Sequence, residues 1–219
     1  MAPETLRLIN VILHIAAGSF ALVFGTINIV NGKGGKVHNK VGRWFLWCIG
    51  IVAVTATIGV LVFEFKAFLA VLTLLVAYQA TSGYRVLKTK SNGPATIDMI
   101  LSIAGFASAV IFIVYLRSIT FPWSPVIIYS TLVWLMMQSV YDLARFLFPK
   151  RWFASLWLYE HTFKMISSFG AIISAFLGNV VRAGQPYTQI MPSVLALWIA
   201  IYFLVALYRK KVKLYSIKG

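Results

Sequence analysis

Seven stretches of this sequence stay apolar for about twenty residues at a time, and that recurrence limits the fold more than any other feature. They lie at roughly 8–30, 42–63, 67–86, 97–118, 123–146, 153–178 and 190–208. At about 1.5 Å of rise per residue, each reaches across a hydrocarbon core of about 30 Å. Backbone in hydrocarbon must satisfy its own hydrogen bonds, so these segments read as helices. They are too long and too evenly apolar for barrel strands. The expected fold is all-α: residues 1–219 as one transmembrane domain, a polytopic seven-helix bundle. Of the 219 residues, 60% are hydrophobic and 11% charged, against about 45–50% and about 25% in soluble domains. A soluble core cannot absorb that excess, so it must face lipid. The first run is too long for a signal-peptide core and its leader Met1-Ala2-Pro3-Glu4 has no positive cluster, so it is expected as a retained helix. Only Glu64-Phe65-Lys66 separates segments two and three, which predicts a tight antiparallel pair. Pro94, Pro122 with Pro125, Pro149 and Gly184-Gln185-Pro186 mark other helix ends.

The net charge of +15 would suggest nucleic acid in a soluble protein. Here the basic residues sit in short loops, so nucleic acid is not expected as a partner, and Lys and Arg instead report topology. One side collects 15 of them: Lys33, Lys36, Lys40, Arg43, Arg85, Lys88, Lys90, Arg145, Lys150, Arg151, Arg209, Lys210, Lys211, Lys213 and Lys218. The other collects 4: Arg7, Lys66, Arg117 and Arg182. The split places the N-terminus outside and the C-terminus in the cytoplasm, in a multi-pass protein of the cytoplasmic (inner) membrane. The basic tail is expected to rest on anionic lipid. Trp44, Trp47, Tyr84, Trp123, Trp152, Trp157, Tyr187 and Tyr208 read as an interfacial belt. Cys48, the lone cysteine, excludes an internal disulfide and reads as a small buried hydrophobe.

Within the first segment, His14, Gly18, Ala21 and Gly25 recur at i, i+4, i+7 and i+11 and share one face. That face suits close helix packing or a flat ligand. Gly32 to His38 reads as a flexible cytoplasmic hairpin; it lacks the Lys-Ser/Thr ending of a phosphate loop. Ionisable groups inside spans are functional candidates by default. Helical rise puts His14 about 10 Å below the outer edge and His161 about 12 Å above the inner one, a depth difference of roughly 8 Å. A planar cofactor spans such a gap, so His14 and His161 are the first candidate pair of haem b ligands, and His38 with His161 the second. Three histidines at three depths do not converge on one zinc, and the i, i+4 histidine pair of zinc hydrolases is missing, so no metal site is assigned.

In the sixth segment, Glu160 and Lys164 stand at i, i+4 and are expected to pair, with Ser168 extending a polar network. The following stretch of small residues to Ala175 suits close packing. Lys164 does not make this a retinal protein, since the last segment, where that family holds its Schiff-base lysine, has none. Asp142 and Arg145 read as an ordinary i, i+3 pair, and Asp98 as an acid serving a helix dipole.

The elements Leu13-His14 with Gly18, Leu22 and Gly25, then His38-Asn39-Lys40-Val41-Gly42-Arg43, then His161 to Met165, resemble an uncharacterised bacterial family of multi-spanning membrane proteins. That resemblance implies the topology and an inner-membrane location, without an activity. His38 to Gly42 is also similar to the His-x-x-x-Gly turn of ferric-reductase-like and b-type cytochrome membrane domains. That likeness implies histidines from facing helices holding haem.

Three functions follow as expectations. The first is a non-catalytic accessory or structural subunit, docking through small-residue faces into a homo-oligomer or larger membrane complex. The second is a b-type haem redox protein, the one enzymatic reading, as a membrane oxidoreductase. The third is a small-solute or proton transporter with His14, Glu160, His161 and Lys164 on its path.

Overall fold

The computed structural model describes residues 3–118, 124–181 and 183–218, with side chains over 4–118, 124–181 and 183–210. Pro122, Trp123, Arg182 and the side chains of Lys211, Lys213 and Lys218, all used in the sequence reading, lie outside that set. The described residues form seven α-helices and no strand: α1 Pro3–Val30, α2 Lys36–Ile58, α3 Ala67–Thr89, α4 Thr96–Arg117, α5 Pro125–Ala144, α6 Phe153–Val180 and α7 Tyr187–Lys218. All seven are long and apolar enough to cross a membrane, with mean hydropathies from 1.3 to 2.4.

Local chemistry explains where the helices stop. Pro125 opens α5 at a position whose N–H has no helical partner anyway. At the end of α1, Lys33 Nζ donates to the carbonyls of Asn28 and Ile29, at 2.5 and 2.6 Å, closing two C-terminal acceptors. The chain then turns through Gly34 at φ 79°, where glycine has no Cβ to clash. Helix resumes at Lys36, six residues before the expected start at 42. His38 is therefore in the first turn of α2 rather than in a hairpin, because no breaker follows Gly35. The upper end of α2 widens into a π-helical turn, Gly59–Phe63, before Glu64-Phe65-Lys66 leads into α3. At the opening of α4, Asp98 accepts the Ala95 N–H at 2.7 Å and pairs with Arg85 of α3.

Helices α1, α2, α3 and α6 form a square in which each packs on the next, with α1 closing onto α6. Helix α5 packs on α3, α4 lies against both, and α7 covers α6. The most apolar 18-residue window of α3 is 67% buried, against 17% in α1 and in α7. The outer helices turn large side chains such as Leu61, Trp47 and Trp198 outward, a surface compatible with lipid.

The buried core of the square includes an aromatic contact. The Phe45 and Phe169 rings meet edge-on with centroids 6.2 Å apart. Gly25 of α1 lies against Phe169 so closely that a Cβ there would come within 2.3 Å of the ring. Below, "upper" denotes the end where α1 begins, "lower" the end holding the α1–α2 connection.

Candidate functional site

Above that aromatic layer the square does not close. A cleft of about 450 Å³ runs between α1, α2, α3 and α6. Its walls descend along α1 from Arg7 to Leu22, about 22 Å of helical rise. They are mostly aliphatic, with Asn10, His14, Ser19, Thr55, Thr73 and Asn179 as polar points and Arg7, Glu64 and Lys66 at the mouth. Volume and lining both suit a ligand pocket.

Asn10, His14 and Thr55 are held in place by hydrogen bonds. Asn10 Nδ2 donates to the Thr55 carbonyl at 3.0 Å. His14 Nδ1 lies 3.0 Å from Thr55 Oγ1. That hydroxyl is 2.7 Å from the Ile51 carbonyl and 3.1 Å from that of Val52. Carbonyls only accept, so the single hydroxyl proton goes to the backbone, and Oγ1 accepts from His14. That arrangement favours His14 as the Nδ1–H tautomer, with Nε2 as its acceptor nitrogen. The same logic fixes His161, whose Nδ1 is 3.1 Å from the Gly83 carbonyl of α3.

The three histidines do not stand where helical rise predicted. Gly25 and Phe169 are level because they touch. His14 is eleven residues above Gly25 and His161 eight below Phe169, so the two lie about 28 Å apart along the bundle. The sequence expectation was roughly 8 Å, and it failed because α1 and α6 are offset vertically. Two nitrogens ligating one iron are roughly 4 Å apart on bonds of about 2 Å, so His14 and His161 cannot share a haem. His38 lies seven residues below Phe45, whose ring meets Phe169. It is therefore nearly level with His161. Among the described residues, no three His, Cys, Asp or Glu side chains gather where they could hold a metal.

The lower half carries a buried ionic cluster. Lys164 Nζ lies 2.5 and 2.7 Å from the two carboxylate oxygens of Asp142. Arg145 Nε is 2.7 Å from Glu160 Oε1 and Nη1 is 3.9 Å from Asp142. Tyr78 donates to Asp142 at 2.7 Å and Tyr141 to Glu160 at 2.8 Å. All four charged side chains are 3% exposed. This corrects two expectations. Glu160 and Lys164 do not pair with each other; Arg145, just past the end of α5, lies against Glu160, and Asp142 of α5 takes Lys164. Asp142 and Arg145 are not an ordinary terminal pair but half of the cluster. Two acids and two bases cancel, which is the condition for burying four charges. Ser168 is fully buried at 0% exposure, and its hydroxyl has no partner among the described residues, so it does not extend the network.

The small-residue ladder on α1 divides. Ala21 is fully buried and Gly25 seats Phe169, whereas Gly18 faces the cleft, with only Val52 near its missing Cβ, at 3.9 Å. On α6, a Cβ at Gly170 would lie 2.3 Å from Ala196 of α7, and Ser174 bonds Ser193 at 2.9 Å. Both small faces are thus used inside the chain. Thr55, Asn10 and Tyr78 were missed in the sequence; the signal was present, since each is a polar group inside an apolar segment. In comparisons with family models, curated proteins and solved structures, nothing matches this chain.

Proposed function

We propose that this chain is a non-catalytic integral membrane protein whose upper cleft binds an elongated, amphipathic, lipid-soluble molecule. The observation that carries the reading is the cleft itself: 450 Å³, aliphatic walls, a charged mouth and one oriented histidine. Nε2 of His14 offers an acceptor to a hydroxyl or N–H of the ligand. The basic-loop count supports placing the lower end in the cytoplasm, and so the cleft in the outer half of a bacterial inner membrane. An accessory role within a larger assembly is compatible with this, but it would have to use faces other than the small-residue stripes of α1 and α6.

Gly18→Leu is the test. The side chain would enter the cleft, since a Cβ at this position meets only Val52, at an ordinary 3.9 Å. A photoactivatable long-chain alkyl probe should label the wild type saturably on α1 and α2, and the variant far less. Equal labelling of both would overturn the reading.

A second reading has one observation in its favour. His38 and His161 are level on diagonally opposed helices, and His161 is held with Nδ1–H on a carbonyl, as a ligating imidazole requires. An absorption spectrum before and after dithionite decides it. A Soret band abolished by His161→Ala supports haem b; a featureless spectrum from cells supplied with haem and iron rejects it.

A further inference from the structure

The mouth of the cleft says what kind of head its ligand carries. Arg7 Nη2 and Lys66 Nζ both lean on one carboxylate oxygen, Glu64 Oε2, at 3.4 and 3.3 Å. Their side chains are 58% and 44% exposed, that of Glu64 53%. Two cations share one anion, so the mouth holds a surplus of one positive charge. Glu4, one turn further up α1, does not line the cleft and makes no ion pair among the described residues. Exposed pairs of this kind contribute little, about 0–1 kcal/mol. An incoming anion therefore displaces Glu64 from one cation at small cost and gains a charge-assisted hydrogen bond.

Below the mouth the chemistry changes within two helical turns. Val11, Ile15, Leu22, Leu72, Val76 and Phe176 make the wall apolar for most of its length. A charged ring above a narrow aliphatic cleft is the complement of a head on a tail. The volume of about 450 Å³ suits one hydrocarbon chain; a two-chain phospholipid is far bulkier.

Resting on the ligand-binding reading above, we infer that the cleft takes a single-chain amphiphile with one anionic head, of the long-chain carboxylate type. Arg7 and Lys66 hold the head at the membrane surface. Asn10 and His14 lie along the upper tail, where Nε2 of His14 would accept from a hydroxyl only when the chain carries one.

The test uses the full-length protein in phosphatidylcholine nanodiscs, labelled with a palmitate carrying a mid-chain diazirine. Unlabelled palmitate, hexadecanol, hexadecyltrimethylammonium and dioleoylphosphatidylglycerol are the competitors. Labelling should map to α1 and α2, and palmitate should compete at least fivefold better than each of the others. Arg7→Gln with Lys66→Gln should erase the advantage over hexadecanol, and Glu64→Gln should enlarge it; all three positions are exposed, so folding is not at stake. If hexadecanol competes as well as palmitate, or the double variant changes nothing, the anionic head is wrong while the cleft reading stands. If dioleoylphosphatidylglycerol competes as well, the single-chain assignment is wrong. If labelling is unsaturable or maps elsewhere, the cleft reading falls as well.

Discussion

Lys164 of α6 reaches both carboxylate oxygens of Asp142 on α5, at 2.5 and 2.7 Å, with both side chains 3% exposed. The pair joins two consecutive helices through residues 22 apart in sequence and makes the ion pair a latch of the lower bundle. Tyr78 of α3 donates to the same carboxylate, so one acid ties three helices.

Breaking that latch on one side should be expensive. Lys164→Met leaves Asp142 buried with a phenol and the more distant Arg145 as its partners. Removing one member of a buried pair typically costs about 3–5 kcal/mol. The double variant Lys164→Met with Asp142→Leu removes both charges and should recover most of the loss, because no unpaired ion remains. Denaturation of the four proteins in detergent, analysed as a double-mutant cycle, measures this. Equal losses in the single and double variants would show that the latch does not act as a pair.

Gly25 and Gly18 stand seven residues apart on one face of α1 and should respond differently to alanine. At Gly25 the added methyl would meet Phe169 at 2.3 Å, and overpacking of this kind costs about 1–3 kcal/mol. At Gly18 the nearest atom is 3.9 Å away, so alanine should change stability by no more than about 0.5 kcal/mol. Thermal unfolding of both variants, under identical detergent conditions, gives the comparison.

These two cases also show what was readable in the sequence. The seven helices were legible because hydrophobic length is a one-dimensional property. The first two helices start early, α1 by five residues and α2 by six; Lys36 to Val41 is polar enough to look like loop yet contains no helix breaker. Partner choice was not legible. Spacing along a helix proposes only same-helix neighbours, so Glu160 was matched with Lys164, while their real partners Arg145 and Asp142 stand on another segment. Depth failed for a related reason: rise along each helix is known, but the offset between helices is set by contacts such as Gly25 against Phe169. The cleft mouth was least visible of all. Arg7 and Glu64 are 57 residues apart in sequence; Arg7 read as a marker of topology and Glu64 only as part of a short connection.

The tautomer of His14 depends on one hydroxyl. Thr55→Val keeps the shape of the side chain but removes the acceptor of the Nδ1 proton. In the wild type, nitrogen-15 shifts of the His14 ring should report a protonated Nδ1 and a bare Nε2. In the variant the two tautomers should mix, and saturable probe labelling should weaken with them. An Nε2–H tautomer in the wild type would remove the basis for His14 as an acceptor.

Gln138 of α5 gives the least intuitive expectation. It is 7% exposed, and neither amide atom has a hydrogen-bond partner among the described residues. Around it lie Trp134, Tyr141, Glu160 and Phe163, and Tyr141 and Glu160 already bond each other at 2.8 Å. A buried polar group left unpaired costs about 1–3 kcal/mol. Gln138→Leu, of similar volume, should therefore raise the stability of the protein by about that amount. Gln138→Glu should lower it, since a fifth charge would have no counter-ion in a cluster where two acids already meet two bases. Denaturant midpoints of the three proteins decide the sign. A loss of stability in the leucine variant would mean that the amide is satisfied in the folded protein, by bound water or by a rearranged Glu160, and that the lower bundle is wetter than its packing implies.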